Sequence, residues 1–239
     1  MISFIVPAYN EETLIGRTLE SLNRAAAEIG EPYEIIVAND ASTDRTAEIA
    51  ASHGARVVSV NRRQIAATRN EGARQSIGDQ LIFVDADTVV SAEVVRAAID
   101  AMNKGAAGGG SAVSFDGQLP RYAELAFPIM VRVFRATGLA CGCFIFSTRV
   151  AFDAAGGFDE KLFASEEIAM SRALKRQGRF VVLRESVTSS GRKLRMYSGR
   201  EVLRVFGGIL LAGPNGLKKR EGLEVWYGGR RKDPGLATD

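Results

Sequence analysis

Through its first hundred residues the chain alternates apolar runs with stretches of helical spacing, an order that few folds accommodate. Residues 2–6, 34–38, 56–60 and 80–84 read as strands, rich in β-branched residues. Between them, helices are expected after Asn10, after Ser42 to residue 51, over 64–76, and after Ser91 to residue 102. Asn and Ser are good N-caps, and Glu11, Glu12 and Asp44 suit the positive end of a helix. Leu14, Ile15, Leu19 and Leu22 give the first helix an apolar stripe. Strands separated by helices of this length imply βαβ units. The expected fold is a single α/β domain with a mostly parallel central sheet flanked by helices.

Beyond residue 104 the pattern changes. Residues 105–110 are small and read as flexible, leading to a strand over 111–115. Residues 119–135 read as an amphipathic helix containing Pro128, 143–146 as a buried strand, 165–176 as a helix capped by Ser165, and 180–183 as a strand. There is no internal repeat, so this half is expected to extend the same sheet. One domain is drawn over 1–220, in halves 1–104 and 105–220. A basic C-terminal tail follows over 221–239, mobile from residue 228.

Composition narrows the chemistry. A net charge of +3 and a pI near 9.0 suit phosphorylated ligands or an anionic membrane surface, and no nucleic-acid partner is expected. The single histidine, His53, argues against histidine metal sites and histidine-dependent triads. Cys141 and Cys143 flank one glycine, a poor spacing for a disulfide or zinc, so a reduced, cytoplasmic setting is expected. Residue 1 leads directly into a strand without a signal-peptide pattern, and no run approaches the ~18 apolar residues of a membrane span.

The run 81–88, Leu-Ile-Phe-Val-Asp-Ala-Asp-Thr, places Asp85 and Asp87 on one side of the backbone if the chain stays extended. Paired acids at the mouth of an apolar strand are costly without a positive partner, and a divalent cation carrying phosphate is a natural one. An exposed acidic loop would read the same way. In open α/β sheets ligands bind at the carboxyl ends of strands. There this chain has Tyr9 and Glu11, then Asp40, then Asp85 and Asp87. An aromatic ring to stack on a base, a carboxylate for base or ribose, and a carboxylate pair for metal describe a nucleotide-diphosphate site. No glycine-rich phosphate loop follows the first strand, so metal is expected to neutralise the phosphates.

Val6-Pro7-Ala8-Tyr9-Asn10-Glu11-Glu12, Asn39-Asp40-Ala41-Ser42-Thr43-Asp44-Arg45-Thr46, Ala67-Thr68-Arg69-Asn70-Glu71-Gly72-Ala73 and Phe83-Val84-Asp85-Ala86-Asp87 resemble the successive motifs of family-2 glycosyltransferases with the GT-A fold. Gly156-Gly157-Phe158-Asp159-Glu160 and Ser165-Glu166-Glu167 resemble that family's acceptor-side motifs, and the likeness spans roughly residues 2–178 in order. It implies an inverting transfer from a UDP- or GDP-sugar to a hydroxyl acceptor, a sugar, polysaccharide or lipid-linked group. Residues 1–104 would bind the nucleotide and 105–220 face the acceptor. Pro7, Ala8 and Tyr9 would line the base pocket, Glu11 and Asp40 contact ribose or base, and Arg69 border the base or brace Asp40. Asp85, Ala86 and Asp87 would form the donor clamp, with Asp87 and then Asp85 holding Mg²⁺ or Mn²⁺. Gly157 and Glu166 would lie on the acceptor side, with Glu167 as the base.

Two departures stand out. The family usually has an aspartate where this chain has Glu167, and acids in a helix's first turn are also routine capping chemistry. The family often has a metal-binding histidine in the region of 186–193, where this chain has none. Arg192 or Lys193 would then contact phosphate, although an exposed basic run reads equally well as a solvated or lipid-facing surface. Residues 122–146, with Phe127, Ile129, Met130, Val133 and Phe134 beside Arg121, Arg132 and Arg135, would bury as a core helix or lie peripherally on the inner face of a membrane. A non-catalytic nucleotide-sugar binder and a nucleotidyltransferase are the rival readings.

Overall fold

The computed structural model describes residues 1–212 and 217–228, and within them every side chain except those of residues 206, 209–212, 224 and 226. Strands β1 (Ile2–Ala8), β2 (Tyr33–Asp40), β3 (Arg56–Val60) and β4 (Gln80–Val84) run parallel in the order β3-β2-β1-β4. They are joined by helices α1 (Ile15–Ile29), α2 (Thr46–Ser52) and α3 (Ile65–Gln75). After β5 (Thr88–Val89) come α4 (Ala92–Asn103), β6 (Ala106–Phe115), α5 (Arg121–Thr137), β7 (Phe144–Thr148), α6 (Arg149–Ala155), α7 (Glu166–Gln177) and β8 (Arg179–Ser189). Short α8 (Arg192–Met196), α9 (Gly199–Ala212) and α10 (Glu224–Tyr227) follow.

All strands among the described residues join one eight-stranded sheet, β3-β2-β1-β4-β7-β6-β8-β5. Pairing is antiparallel between β4 and β7, β7 and β6, and β8 and β5, and parallel between β6 and β8. Successive residues feed opposite faces, as pleating requires. Phe4, Val6, Ile82 and Val84 pack with α1 and α4, whereas Ile5, Leu81 and Phe83 pack with α3, α6 and α7. Burial on both faces explains why these strands are continuously apolar. No helix among the described residues is long and apolar enough to cross a membrane.

Several local expectations are corrected. Residues 105–110 are not a flexible link: 106–110 form the first half of β6, and Gly109 is there because a Cβ would collide with the Val181 carbonyl and the Phe146 ring. Asn10 does not cap α1, which starts at Ile15. Asn10 has φ +52, and its side-chain Oδ1 accepts from the Thr43 backbone amide at 2.8 Å. Ser42 does not cap α2 but accepts from the Asn10 amide at 3.0 Å, while Asp44 accepts from Thr46 at the start of α2. The loops after β1 and β2 are thus tied together. Ser165 has φ +62 and makes no side-chain cap bond to α7. Ser91 caps α4, accepting from the Val94 amide. Of the expected tail, residues 221–228 include α10 and pack on the domain, Tyr227 against Phe163 at 5.7 Å between ring centroids. Residues 229–239 lie outside the described residues.

Candidate active site

The carboxyl ends of β1, β2 and β4 open into one cavity. Of the residues assigned to the donor from sequence, Pro7, Ala8, Tyr9, Glu11, Asp40, Asp85, Ala86 and Asp87 line it, as does Lys193. Arg63, Gln64, Ile65, Thr68 and Tyr227 complete the wall. Thr68 lies within the motif at residues 67–73. Arg63 and Tyr227 carry no local sequence signal, because the β3–α3 loop and a distant C-terminal helix bring them in.

Asp40 shapes this wall. Its Oδ1 accepts from the Arg62 and Arg63 amides at 2.8 and 2.9 Å, and its Oδ2 from the Gln64 amide at 3.0 Å and the Thr68 hydroxyl at 2.8 Å. A carboxylate offers about four lone-pair directions, so these bonds saturate it. The loop it organises holds Arg63 with its guanidinium carbon 3.2 Å from the Tyr9 ring centroid, over the aromatic face expected to meet a base.

Arg192 does not extend toward phosphate. It is 2% exposed and donates to both Glu11 oxygens at 2.9 and 2.8 Å, with Asp87 Oδ2 at 3.8 Å. Glu11 is therefore occupied by an internal ion pair in place of the expected ribose or base contact. Burial pushes its carboxyl up, Asp87 pushes it further, and Arg192 opposes both. The hydroxyl of Ser189, at the end of β8, donates to Asp87 Oδ1 at 3.4 Å.

Arg69 does not brace Asp40. Its Nη2 donates to Asp85 Oδ1 at 2.8 Å and to the Gly142 carbonyl at 2.9 Å, and its Nη1 donates to Glu166 Oε1 at 2.8 Å. Glu166 is buried in that pair, not turned to an acceptor. Glu167, the next residue of α7, comes up against Gly142 from the same side as Arg69. Burial and the neighbouring Glu166 push the Glu167 carboxyl up to about 8. Gly157 lies away from this cavity: with φ +74 it packs on Asn70, which accepts from the Phe158 amide at 2.8 Å, and its role there is a turn. Burial also raises the Cys141 and Cys143 thiols, Cys141 to about 11, so neither is a reactive thiolate at neutral pH.

The family described as glycosyl transferase family 2 matches residues 3–154. The chain belongs to that family. An undecaprenyl-phosphate 4-deoxy-4-formamido-L-arabinose transferase of Edwardsiella ictaluri is 32% identical over 116 residues, 44% of this chain and 34% of that protein. A 4,4'-diaponeurosporenoate glycosyltransferase of Staphylococcus haemolyticus is 38% identical over 105 residues, 41% of this chain and 27% of that protein. These matches cover about a quarter to a third of the length of the curated relatives. Among solved structures, the mannosyltransferase PcManGT of Pyrobaculum calidifontis, in complex with GDP-Man and Mn²⁺, superposes with a TM-score of 0.64 at 18% identity. That match covers 95% of this chain and 68% of that one. S. aureus TarS 1–349 in complex with UDP-GlcNAc has a TM-score of 0.62 at 21% identity, covering 79% and 58%. The fold is GT-A.

The family implies a divalent cation, and the residues present fit one. Asp87 lines the cavity, and among the described residues its one ion-pair contact is Arg192 at 3.8 Å, beyond hydrogen-bond reach. Burial pushes its carboxyl up, Lys193 pulls it down and Asp85 pushes it up again. Negative charge there is under-compensated, which is the condition a hard cation relieves. Asp85 gives one oxygen to Arg69 and lines the same cavity. No group of three or more His, Cys, Asp or Glu among the described residues makes a complete metal shell, so a substrate diphosphate would supply further ligands.

Proposed function

We propose that this chain transfers a sugar, with inversion, from a UDP- or GDP-sugar to a hydroxyl acceptor. The observation that carries the reading is the Arg69 guanidinium, which spans from Asp85 in the donor cavity to Glu166, beside Glu167. One rigid cation thus fixes the spacing between the donor clamp and the base. Pro7, Ala8 and Tyr9 hold the base, and Arg63 must leave the Tyr9 face that a base stacks on. Asp87, with Asp85, holds Mg²⁺ or Mn²⁺, which when bound stabilises charge on the departing diphosphate. Lys193, on the cavity wall, adds positive charge toward that diphosphate.

Glu167 takes the acceptor hydroxyl proton as the oxygen forms its bond to the anomeric carbon. The bond from that carbon to the diphosphate oxygen breaks on the opposite face, and the nucleoside diphosphate leaves with the electron pair. A raised carboxyl is a stronger base once ionised, which suits proton removal from a hydroxyl. Two relatives carry undecaprenyl phosphate or 4,4'-diaponeurosporenoate in their names, which supports a lipid or lipid-linked acceptor.

The test is release of UDP or GDP from a panel of their sugars, with and without Mn²⁺. Glu167→Gln is expected to slow release by ~10²-fold or more while nucleotide affinity stays within a few-fold. Full activity in Glu167→Gln would remove the base assignment. Nucleotide-sugar binding without any release or transfer would favour a non-catalytic binder.

A further inference from the structure

The outer face of α5 has the wrong chemistry for water. A surface helix ordinarily turns polar residues outward. Here Leu125, Ile129 and Val133, one turn apart, are 77%, 62% and 52% exposed. The opposite face already serves the core: Ala123 is buried, and Phe127 packs on Phe115 at 4.8 Å between ring centroids. The helix thus has apolar residues on two sides and a protein core on only one.

Its charges are arranged to match. Arg132 stands two turns after Leu125 in the same row, and Arg121 and Arg135 lie at one turn's spacing along it. All three are exposed, and Glu124 is the only acid in the helix. α9 begins beside the start of α5. The Tyr122 hydroxyl donates to the Leu194 and Tyr197 carbonyls at 2.8 and 3.1 Å, fixing the start of α5 beside the turn into α9. There Arg200, Leu203 and Arg204 are exposed, Leu203 at 73%. Apolar side chains set among arginines complement one kind of partner, a surface with an apolar interior and anionic headgroups.

We propose that α5 and the first half of α9 dock this protein on an anionic lipid bilayer. The apolar stripe enters the headgroup boundary, and the arginines take lipid phosphates. This docking stands without the transferase reading. Taken with it, the docked helix leads within a few residues to Gly142, the backbone against Glu167, which brings the base to an acceptor held in the bilayer.

Co-sedimentation of the whole chain with phosphatidylcholine vesicles, and with equimolar phosphatidylcholine and phosphatidylglycerol vesicles, tests this without donor or acceptor. Binding is expected to the anionic vesicles and to be much weaker to the neutral ones. The double variant Ile129→Glu with Val133→Glu is expected to lose about tenfold or more in vesicle affinity. Arg132→Gln with Arg135→Gln is expected to lose about thirty-fold. Both changes lie on exposed positions, and unchanged thermal melting confirms folded variants. No binding of the wild type to anionic vesicles, or equal binding by both variants, overturns the proposal. So does a wild-type dimer that Ile129→Glu with Val133→Glu dissociates while vesicle binding is absent, which assigns the face to a second copy of the chain.

Discussion

Arg69 and Asp85 meet at 2.8 Å, Nη2 to Oδ1, where the arginine is 1% exposed and Asp85 lies on the wall of the cavity at the carboxyl ends of β1, β2 and β4. The same guanidinium holds Glu166 at 2.8 Å. One buried cation therefore compensates two carboxylates, one just past the end of β4 and one at the start of α7.

Removing that cation strands both acids. Arg69→Ala is expected to destabilise the fold by ~3–5 kcal/mol in urea unfolding, because uncompensated buried charge costs far more than an intact pair contributes. Arg69→Lys keeps the charge but loses the fork that reaches Asp85 and Glu166 together, so an intermediate loss is expected. A change below ~1 kcal/mol in Arg69→Ala would mean that the pair is solvated.

The proposed base, Glu167, sets an expected pH dependence of turnover. Its carboxyl is pushed up to about 8 by burial and then by Glu166, so below that value it is protonated and cannot accept a proton. The rate is expected to rise with pH through the region near 8 and then level. Glu166→Gln removes the neighbouring negative charge and should move this limb to lower pH. A rate flat between about pH 6 and pH 9, or a limb unmoved in Glu166→Gln, contradicts the assignment.

Glu11 and Arg192 form the second buried pair, 181 positions apart in sequence, with contacts of 2.9 and 2.8 Å. Arg192→Met alone leaves Glu11 and Asp87 facing each other, and a stability loss of ~3 kcal/mol is expected. Adding Glu11→Gln should recover most of that loss, and a double-mutant cycle measures the coupling. Purely additive losses would show that the two side chains act separately.

The sheet was legible because buried strands declare themselves in apolar, β-branched runs, and β3 and β4 fall at the expected bounds. The cavity wall was legible because Tyr9, Asp40, Asp85 and Asp87 each stand at or just past the carboxyl end of a strand. Partnerships were not. Arg192 looks like a phosphate ligand until β8 and α8 fold it onto Glu11. Asp40 looks like a free acceptor until the loop after β3 delivers three amides to it. Glycines at 108–110 read as slack in one dimension, yet Gly108 and Gly109 let β6 approach Phe146 and Val181, and Gly110 lets it approach Ala140. Ser42 and Ser165 have capping chemistry, but Asp44 takes the α2 end and a left-handed backbone at Ser165 turns the chain into α7 without a side-chain cap.

Calorimetric titration of UDP and GDP into the wild type and Asp87→Ala, with and without Mn²⁺, tests the donor site most directly. One nucleotide is expected to bind the wild type with Mn²⁺ at least about tenfold more tightly than without it, ~1.4 kcal/mol, and Asp87→Ala should erase that difference. Equal affinity with and without Mn²⁺, unchanged by Asp87→Ala, would contradict the account.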